Sequence, residues 1–522
     1  MFLNPQPTDE VLNELLDRDR TVLGESGDLE HISETRRATA RLRLEELRRY
    51  RGTIGGELLE MGCGQGDFLV EASDAGFTVT GVEVSASAAG EASRRLGGAG
   101  LVLCGGLDDV AHRQTRFDVC VLSGVLEQSR QPVAFLSRLR GLLRADATLL
   151  IETPNLHSWS ARLFRQSWFE FSPSHLFYFD TATIQHLLYK AGFQEVLVRP
   201  ARKVLSLRRL AGKLESFRVP VLSKTVSTVA RVAPSTVRLR HATMISSEMA
   251  VFARPRQTNP APRISVVVPA YNEADTLSPV LDSVLQKDFG PAEIEVVLVE
   301  SGSSDGTREI AQRYSANPRV RLVLEDRPHG KGHAVRSGLL QATGDFILIQ
   351  DADLEYDVED YDSLLEPLLR SREAFVLGSR HGGAAWKMRR FAGQWFLSMG
   401  MNLGHWFFTT LINVLFWQRL RDPFTMYKVF RRDCLFGLHL ECNRFDFDYE
   451  LLINLVRKGY RPVEIPVNYR SRSFREGKKV SMWRDPLTWL RILAKLRISR
   501  FDPLEVIERE RSVGQTRPTE HL

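Results

Sequence analysis

Two aspartates separated by one residue, Asp351 and Asp353, are the side chains in this sequence that most directly indicate chemistry. They follow the apolar run Phe346–Ile349, so we expect them just beyond a buried strand. Carboxylates at alternate positions can both reach one hard cation such as Mg²⁺ or Mn²⁺, which prefers oxygen ligands and is commonly shared with substrate phosphates. The pair therefore predicts a metal site that neutralises charge on a departing diphosphate.

Polar residues also follow two earlier strand-like runs in this half of the chain. Val266–Val268 leads to Glu273, and Glu295–Val299 leads to Glu300 and Asp305. The carboxyl ends of parallel strands converge at the crevice where such sheets bind ligands. These acids are therefore expected near the metal site.

Several motifs around these acids resemble glycosyltransferase family 2, and more narrowly the dolichyl- and polyprenyl-phosphate sugar synthases. The motifs are Pro269–Glu273, Ser303–Thr307, Gly330–Gly332, Asp351–Asp353, Asp422–Arg432, Phe445–Glu450 and Val463–Lys479. The resemblance covers residues 263–485. It implies a GT-A fold and the inverting transfer of a sugar from a UDP- or GDP-linked donor.

The same resemblance implies roles for individual residues. Contacts to the nucleotide sugar are expected from Pro269, Tyr271, Glu273, Glu300, Asp305, Lys331, Asp351, Lys478 and Lys479. Catalytic roles are expected from Asp353, Arg380, Arg472, Asp448 and Glu450. Relatives usually carry two aspartates where Glu300 and Ser301 stand here, so the identity of the nucleotide base stays open.

The acceptor of the sugar is also left open. A polyprenyl phosphate is already an anion near neutral pH, because the second pKa of a phosphate monoester is about 6. Arg380 and Arg472 would then hold that phosphate, while Asp448 and Glu450 would be supporting residues. A hydroxyl of a glycan or protein would instead need one of these two acids as a base.

The N-terminal half carries a second ligand-binding signature. A strand-like run, Leu58–Met61, enters the glycine-rich turn Gly62–Gly66, and the next strand ends in Glu83. Glycines let the backbone approach a ligand closely, and a carboxylate at the place of Glu83 can accept hydrogen bonds from ribose hydroxyls. The GxGxG spacing differs from the GxGxxG of dinucleotide-binding domains, which disfavours NAD.

This turn and later segments resemble the class I S-adenosylmethionine-dependent methyltransferases over residues 35–254. The later segments are Phe117–Gln128, Leu149–Asn155 and His175–Phe193. The resemblance implies S-adenosylmethionine as a cofactor, with its methionine end lined by Glu60, Gly62, Gly64 and Gly66, its ribose held by Glu83 and its adenine facing Asp108. Many relatives carry His at the position of Gln128, which puts a catalytic role there in doubt.

His175 is a candidate general base for O-methylation, and a purely structural histidine is the alternative. A scaffold domain that binds no cofactor is likewise the alternative for this whole half of the chain.

The elements that must position these residues alternate between apolar strands and amphipathic helices in both halves. This pattern predicts an α/β protein with two doubly wound sheets, a Rossmann-like methyltransferase domain at 51–254 and a GT-A domain at 263–500. Residues 1–50 are expected to be a charged helical segment, 255–262 a proline-rich linker and 501–522 a frayed tail. At 522 residues the chain is too long for a single core.

Composition places few restrictions on function. The chain is 43% hydrophobic and 26% charged with a net charge of +6, as in ordinary globular proteins. Its five cysteines form no CxxC pair, which disfavours a disulfide framework and fits a reducing compartment. The N-terminus has no signal-peptide pattern, and the apolar core of Phe391–Leu420 is shorter than the roughly 20 residues of a membrane span.

Two segments predict contact with a membrane surface. Residues 202–240 hold ten basic residues and one acid, with leucines and valines at helical spacing. Such a stretch can lie on an anionic bilayer, and packing on the protein's own core is the alternative. Trp395, Trp406 and Trp417 are candidate interfacial anchors. We therefore expect a cytoplasmic protein on the cytosolic membrane face, with no nucleic-acid partner.

Together these patterns predict a bifunctional enzyme of cell-envelope glycan or glycolipid biosynthesis, a methyltransferase fused to a glycosyltransferase. One alternative keeps the glycosyltransferase and makes the first half a scaffold. Another is a nucleotide-binding membrane adaptor without turnover, which the intact Asp351–Asp353 and Glu476–Lys479 motifs disfavour.

Overall fold

The computed structural model describes residues 1–3, 6–8, 10–12, 14–15, 29–206, 241–257, 261–380, 395–471 and 484–516. Its contacts divide the chain into two compact units, one formed by Met1–Gln257 with Leu504–Leu522 and the other by Thr258–Pro503. Each unit contains one seven-stranded sheet.

The sheet of the first unit consists of β1 (Gly56–Met61), β2 (Phe77–Glu83), β3 (Gly100–Cys104), β4 (Phe117–Ser123), β5 (Leu143–Pro154), β6 (Phe193–Ser206) and β7 (His241–Pro255). The strand order is β3-β2-β1-β4-β5-β7-β6. Strand β7 runs antiparallel to both β5 and β6, and the other neighbouring strands are parallel. The order reverses between β1 and β4, which opens a crevice at their carboxyl ends.

Helices cover both faces of this sheet: α1 (Leu29–Arg51), α2 (Asp67–Asp74), α3 (Ala86–Leu96), α4 (Leu107–Ala111), α5 (Pro132–Arg140), α6 (Trp159–Phe164) and α7 (Thr181–Lys190). The central strands are buried on both faces, as Leu58, Leu59 and Cys120 show with no exposed surface. Near-continuous apolar runs of this kind are typical of parallel strands covered on both sides. The start of α7 is fixed by Asp180, whose Oδ1 accepts the backbone N–H of Thr183 at 2.8 Å.

The predicted basic insertion begins later than expected. Residues 202–206 continue β6 as a strand paired with 241–245 of β7, and so do not start an amphipathic helix. Within this pair of strands, Lys203 forms an ion pair with Glu248 at 2.5 Å. Residues 207–240 lie outside the described part of the chain.

The sheet of the second unit consists of β8 (Arg263–Ala270), β9 (Glu293–Glu300), β10 (Val320–Leu324), β11 (Phe346–Ile349), β12 (Phe375–Ser379), β13 (Lys428–Arg431) and β14 (Val463–Pro466). Its order is β10-β9-β8-β11-β13-β12-β14, with β13 antiparallel to β11 and β12. The order reverses between β8 and β11, so the acids that follow these two strands lie at the topological switch point.

The helices of the second unit are α8 (Ala274–Gln286), α9 (Thr307–Tyr314), α10 (Lys331–Gln341), α11 (Tyr361–Leu369), α12 (Trp395–Phe416), α13 (Phe447–Arg457) and α14 (Arg484–Ile498). Valines and leucines of β8, β9 and β11 form the centre of the core with α8, α10 and α13. Within the described ranges, no helix is long and apolar enough to cross a membrane.

Residues 501–522 were expected to be a frayed tail, but Pro503–Thr516 forms a helix, α15. Leu504 and Ile507 recur at helical spacing and are buried. Glu508 accepts two hydrogen bonds from the Arg49 guanidinium of α1, at 2.7 and 2.9 Å. The apolar pair and this ion pair hold the segment against the first unit, to which it belongs.

Candidate functional site

A cavity of about 630 Å³ lies at the carboxyl ends of the central strands of the second unit. Segments following β8, β9 and β11 all contribute to it, as expected at a switch point. Its lining includes these residues predicted from the sequence: Pro269, Tyr271, Glu273, Lys331, Asp351, Asp353, Arg380 and Asp448.

The two aspartates of the predicted metal site have different surroundings. Asp351 Oδ1 lies 2.5 Å from Lys331 Nζ. Asp353 is mostly buried, and its Oδ1 accepts the backbone N–H of Glu355 at 3.1 Å. Burial alone would lower the pKa of Lys331, but Asp351 and then Asp448 raise that pKa overall. The cavity therefore holds a charged ammonium directly against one of the two carboxylates.

This donor set fits a hard cation that arrives with its substrate. Carboxylate oxygens are the ligands that Mg²⁺ prefers, and this ion commonly completes its shell with water and substrate phosphates. Within the described residues, no group of three or more His, Cys, Asp or Glu side chains is arranged to hold a metal ion. Asp351 and Asp353 would therefore need oxygens of a diphosphate and water as further ligands.

Arg380 is a fixed cation on the cavity wall. Its Nε and Nη2 donate to the two carboxylate oxygens of Asp422, at 2.8 and 2.7 Å. Although burial opposes ionisation, the guanidinium holds the pKa of Asp422 well below its usual range. The guanidinium also lies over the ring of Tyr469, 5.1 Å from its centroid. Because a guanidinium has five N–H donors, this arrangement leaves donors for a substrate anion.

The two acids of α13 point to different places. Asp448 lines the cavity, and its Oδ1 accepts a hydrogen bond from Lys428 Nζ at 3.2 Å. Glu450 instead accepts the backbone N–H groups of Glu441, at 3.0 Å, and Cys442, at 2.9 Å. The structure therefore brings Asp448 to the cavity and uses Glu450 to hold a loop.

Glu300 is also engaged within the protein. Its carboxylate is fully buried, accepts the backbone N–H of Ser303 at 2.6 Å and forms an ion pair with Arg308. Burial opposes ionisation, but Ser303 and Arg308 lower the pKa of Glu300 overall. The expected contact with a nucleotide base would require this pair to break, and it is the next residue, Ser301, that lines the cavity.

Asp305 has a similar structural position at the start of two helices. Its Oδ1 accepts the backbone N–H of Thr307 at 3.0 Å, and its Oδ2 accepts that of Ala274 at 3.1 Å. Asp305 stands one residue before Gly306, which is the N-cap of α9, and its carboxylate is occupied by these backbone N–H groups.

The cavity also has an aromatic wall, which sequence reasoning missed. Phe408, Phe424, Tyr449 and Trp489 pack with ring centroids 5.0 to 6.4 Å apart. These residues come from α12, α13, α14 and a loop, so no single sequence window shows them. Lys428 beneath Asp448 was missed for the same reason. Arg472, Lys478 and Lys479 lie outside the described residues.

The glycine-rich turn of the first unit has the backbone expected of a ligand cradle. Gly62, Gly64 and Gly66 have φ values of 71°, 53° and 81°, in the left-handed region that favours glycine. A Cβ added at Gly62 would lie 2.5 Å from Val125 Cγ2, whereas one at Gly64 would meet nothing within 4 Å. The backbone at Gly64 therefore borders open space.

Two buried acids flank this turn. Glu83 Oε2 accepts the backbone N–H of Gly64 at 3.0 Å, and its Oε1 accepts that of Ser85 at 2.9 Å. In the described structure Glu60 Oε2 is buried without a hydrogen-bond partner, and burial raises the pKa of Glu60 to about 8. A buried oxygen without a partner is costly, so a donor from a ligand would relieve it. Glu60, Glu83 and the open cradle fit S-adenosylmethionine.

Asp108 is not brought to this turn. Its side chain is 75% exposed and pairs with Arg138 on the surface. The neighbouring Asp109 caps α4, with its Oδ2 accepting the Gly106 N–H at 2.7 Å. The expected contact of Asp108 with adenine stays a prediction.

His175 lies beside a buried acid. Its Nε2 is 4.0 Å from Oε1 of Glu127, and its Nδ1 is 3.1 Å from the backbone oxygen of Glu170. Burial raises the pKa of Glu127 to about 8, and Thr153 donates to its Oε2 at 3.0 Å. The loop before Glu127 packs on the glycine turn through Val125.

Comparison with known families agrees with this geometry. The family model for a methyltransferase domain matches residues 31–198, and the model for glycosyl transferase family 2 matches residues 265–435. The chain is therefore a fusion of a methyltransferase domain and a family 2 glycosyl transferase domain. This confirms both resemblances drawn from the motifs and the α/β class of both halves, a Rossmann-like domain followed by a GT-A domain.

Two relatives of known class share part of this chain. A dolichyl-phosphate beta-glucosyltransferase of Trichomonas vaginalis is 31% identical over 218 residues, which are 39% of this chain and 62% of the relative. A dolichyl-phosphate beta-glucosyltransferase of Drosophila melanogaster is 36% identical over 217 residues, which are 38% of this chain and 63% of the relative. The chain thus spans less than two thirds of either relative.

Among solved structures, a SAM-dependent methyltransferase of Archaeoglobus fulgidus is similar at 17% identity and a TM-score of 0.29. The match covers 42% of this chain and 92% of that one. A TM-score this low has no bearing on function.

Proposed function

We propose that the second unit transfers a sugar from a nucleotide sugar with the help of a divalent cation, inverting the configuration at the sugar carbon. The observation that supports this most is the convergence of Asp351, Asp353, Lys331, Arg380 and Asp448 on one cavity. Three acids and two cations at a switch point suit a diphosphate with its metal ion and a second anionic group.

The residues divide into donor and acceptor roles. A cation held by Asp351 and Asp353 supplies charge neutralisation for the leaving diphosphate. Lys331 lies beside them and can donate to the diphosphate. Arg380, fixed by Asp422, holds the acceptor anion without having to reorganise.

The acceptor that best fits the cavity is a polyprenyl phosphate. Arg380 provides a contact for its phosphate, and the aromatic wall of Phe408, Phe424, Tyr449 and Trp489 provides an apolar continuation of the same cavity. The relatives named as dolichyl-phosphate beta-glucosyltransferases support a lipid phosphate. A hydroxyl acceptor is the second candidate, because Asp448 is available on the cavity wall as a base.

A lipid acceptor requires access to a membrane, and α12 and α14 carry exposed apolar side chains. The most exposed are Leu403, Trp406, Phe407 and Val414 of α12, Trp417 directly after it, and Leu487 and Ile498 of α14. Other residues of α12, including Gly404 and Phe408, line the cavity. We propose that these two helices lie on the cytosolic face of the membrane, with aromatic side chains at the headgroup level.

The first unit, in this proposal, methylates an acceptor with S-adenosylmethionine. The turn Gly62–Gly66 and Glu60 would hold the methionine end, and Glu83 the ribose. The cofactor supplies an electrophilic methyl group. His175, oriented by the backbone oxygen of Glu170, can accept the proton of an acceptor hydroxyl. A scaffold without turnover is the alternative for this unit.

The decisive experiment incubates the full-length protein with UDP- and GDP-sugars and a polyprenyl phosphate, with Mn²⁺ or EDTA, and identifies products by mass spectrometry. We expect a glycosylated lipid phosphate that forms only with the metal ion. Products formed equally in EDTA would contradict the metal, and transfer to a glycan alone would contradict the lipid phosphate. Lipid extracts of cells with and without the gene identify the natural product.

Membrane contact is tested separately by flotation with vesicles that contain anionic lipid. Replacing both Trp406 and Trp417 with Ala should weaken binding by roughly tenfold, because aromatic anchors are lost. Trp159, which is 62% exposed in the first unit, gives the matched control Trp159→Ala. Unchanged flotation of the double variant would contradict this surface.

A further inference from the structure

The glycosyl transferase cavity contains an ion pair that a metal ion would have to break. Lys331 Nζ lies 2.5 Å from Asp351 Oδ1, and both side chains are largely buried. A cation shared by Asp351 and Asp353 would approach the same carboxylate. An ammonium and a dication that both contact one carboxylate lie close together and repel each other strongly. Metal and ammonium therefore compete for Asp351.

The backbone of Lys331 is fixed, so only its side chain can respond to this competition. A Cβ added at Gly330 would lie 2.4 Å from the backbone oxygen of Asn443. A Cβ at Gly332 would lie 2.5 Å from Cβ of Phe447. The start of α10 thus packs directly against the segment that leads into α13. This close approach leaves no room for a side chain at Gly330 or Gly332, on either side of Lys331.

The Lys331 side chain has other partners within its reach. It lies over the ring of Phe445, 5.8 Å from the centroid, and it interacts electrostatically with Asp448 and Asp353 as well as with Asp351. A lysine ammonium on its flexible stem exchanges partners more readily than the rigid fork of an arginine. A diphosphate bound at this edge would offer it an anion stronger than a single carboxylate.

We propose that Lys331 is a positioning residue that serves as the counter-ion of Asp351 until a divalent cation binds, and that it then moves to the diphosphate of the donor. This inference rests on the metal-dependent sugar transfer proposed above. Metal alone binds weakly in this scheme, because it must displace the ammonium. A nucleoside diphosphate and the metal bind cooperatively, because the diphosphate receives the displaced ammonium.

Calorimetric titration of the full-length protein tests the proposal without measuring activity. Mn²⁺ is titrated alone, and then UDP or GDP is titrated in saturating Mn²⁺. Lys331→Met should bind Mn²⁺ alone about tenfold more tightly, because a competing charge is lost, and should bind the nucleoside diphosphate about tenfold more weakly. Lys331→Arg should keep the weak binding of Mn²⁺ alone, because a competing charge remains, and should bind the nucleoside diphosphate less tightly than the wild type, because the rigid guanidinium exchanges partners less readily.

The matched control is Lys495→Met, since Lys495 is half exposed and pairs with Glu441 outside the cavity lining. Lys331→Gln is measured beside Lys331→Met, and thermal unfolding of each variant is recorded, so that a folding defect of one variant does not decide the result. The control should leave both affinities unchanged.

The outcomes separate this inference from the proposed function. If Mn²⁺ binds wild type and both neutral variants equally, and Asp351→Asn abolishes that binding, the metal site stands and the exchange role of Lys331 is overturned. If Mn²⁺ binds none of the proteins, with or without a nucleoside diphosphate, the metal dependence fails and the inference fails with it. Tighter Mn²⁺ binding in both neutral variants supports the exchange.

Discussion

The two ligand-binding edges of this protein balance their buried charges differently. In the glycosyl transferase unit, Asp351 is paired with Lys331 and Asp448 with Lys428, and we call this the paired edge. In the methyltransferase unit, Glu60 keeps a buried oxygen without a hydrogen-bond partner in the described structure, and we call this edge, with the turn Gly62–Gly66, the open edge. A site with internal pairs is satisfied without ligand and must exchange partners to bind one. A site with an unpaired oxygen is relieved by its ligand.

The largest effect is expected from a substitution at the paired edge that lowers sugar transfer and leaves the open edge unchanged. Asp351→Asn removes a proposed metal ligand and leaves Lys331 facing a neutral amide, so sugar transfer should fall by roughly a thousandfold or more. Binding of S-adenosylmethionine should not change, because its cradle belongs to the other unit. Radiolabelled sugar transfer and calorimetry measure the two functions on the same protein.

Asp362 provides the matched control for this substitution. It is 68% exposed and pairs with Lys287 outside the cavity lining, so Asp362→Asn should keep wild-type transfer. Full activity of Asp351→Asn would show that the paired edge does not bind a metal through this residue.

The next largest effect is expected from a substitution at the open edge that prevents binding of S-adenosylmethionine. Gly64→Val places a side chain in the space that borders the turn, at a φ of 53° that valine adopts only with strain. Binding of S-adenosylmethionine should become undetectable by calorimetry while sugar transfer is retained.

Gly97→Val separates strain from occlusion. Gly97 also has positive φ, 59°, and open space around an added Cβ, but it ends α3 away from the turn. This variant should lose stability to a similar degree and still bind the cofactor. Equal loss of binding in both variants would mean that strain, and not occupation of the cradle, is responsible.

The sequence predicted the strand ends well, because a strand that runs into glycines or acids is a local signal. It could not predict which way each side chain turns. Asp448 and Glu450 are two positions apart on α13, and such residues point in nearly opposite directions on a helix. Only packing decides which of them faces the cavity. The same holds for Glu300, the last residue of β9, and Ser301 next to it, because neighbouring residues along a strand point to opposite faces.

The parts that were wrong or missed depend on contacts between distant segments. The helix α15 depends on Glu508 meeting Arg49, far away in the sequence. The strand at 202–206 depends on pairing with 241–245. The sequence suggested a frayed tail at the chain end and a basic amphipathic stretch at 202–240, since neither partner is visible in a local window.

Two substitutions at the paired edge, with smaller expected effects on sugar transfer, test whether the acceptor is a lipid phosphate or a hydroxyl. Arg380→Ala removes a charge-assisted contact worth about 2–3 kcal/mol, so transfer to a polyprenyl phosphate should fall by roughly a hundredfold. Asp448→Asn should cost less than about tenfold if the acceptor is already an anion and needs no strong base. Initial rates with a fixed lipid phosphate give both values.

The reverse ranking would change the assignment. If Asp448→Asn abolishes transfer and Arg380→Ala retains it, the acceptor is a hydroxyl and Asp448 is its base. Glu450→Gln serves as the control for an acid on the same helix, because Glu450 holds the loop at Glu441 and Cys442.

The smallest expected effect concerns the open edge and its dependence on pH. Burial raises the pKa of Glu60 from 4.5 to about 8, so the folded protein keeps this carboxyl protonated at pH values where the unfolded chain releases the proton. The stability that this group contributes is full below its ordinary pKa and is lost as pH rises through about 8. The slope for one group is at most about 1.4 kcal/mol per pH unit.

Glu60→Gln should remove that part of the slope, because the amide stays neutral at every pH. Glu127 has a pKa raised to about 8 in the same direction, so the measured quantity is the difference between wild type and variant. Differential scanning calorimetry of the full chain from pH 5 to 9 follows the transition that S-adenosylmethionine shifts. The ammonium of the cofactor favours ionised Glu60, so wild-type affinity should rise with pH through this range while the affinity of the variant should not. Parallel pH curves for the two proteins would show that Glu60 has its partner elsewhere and that the edge is not open.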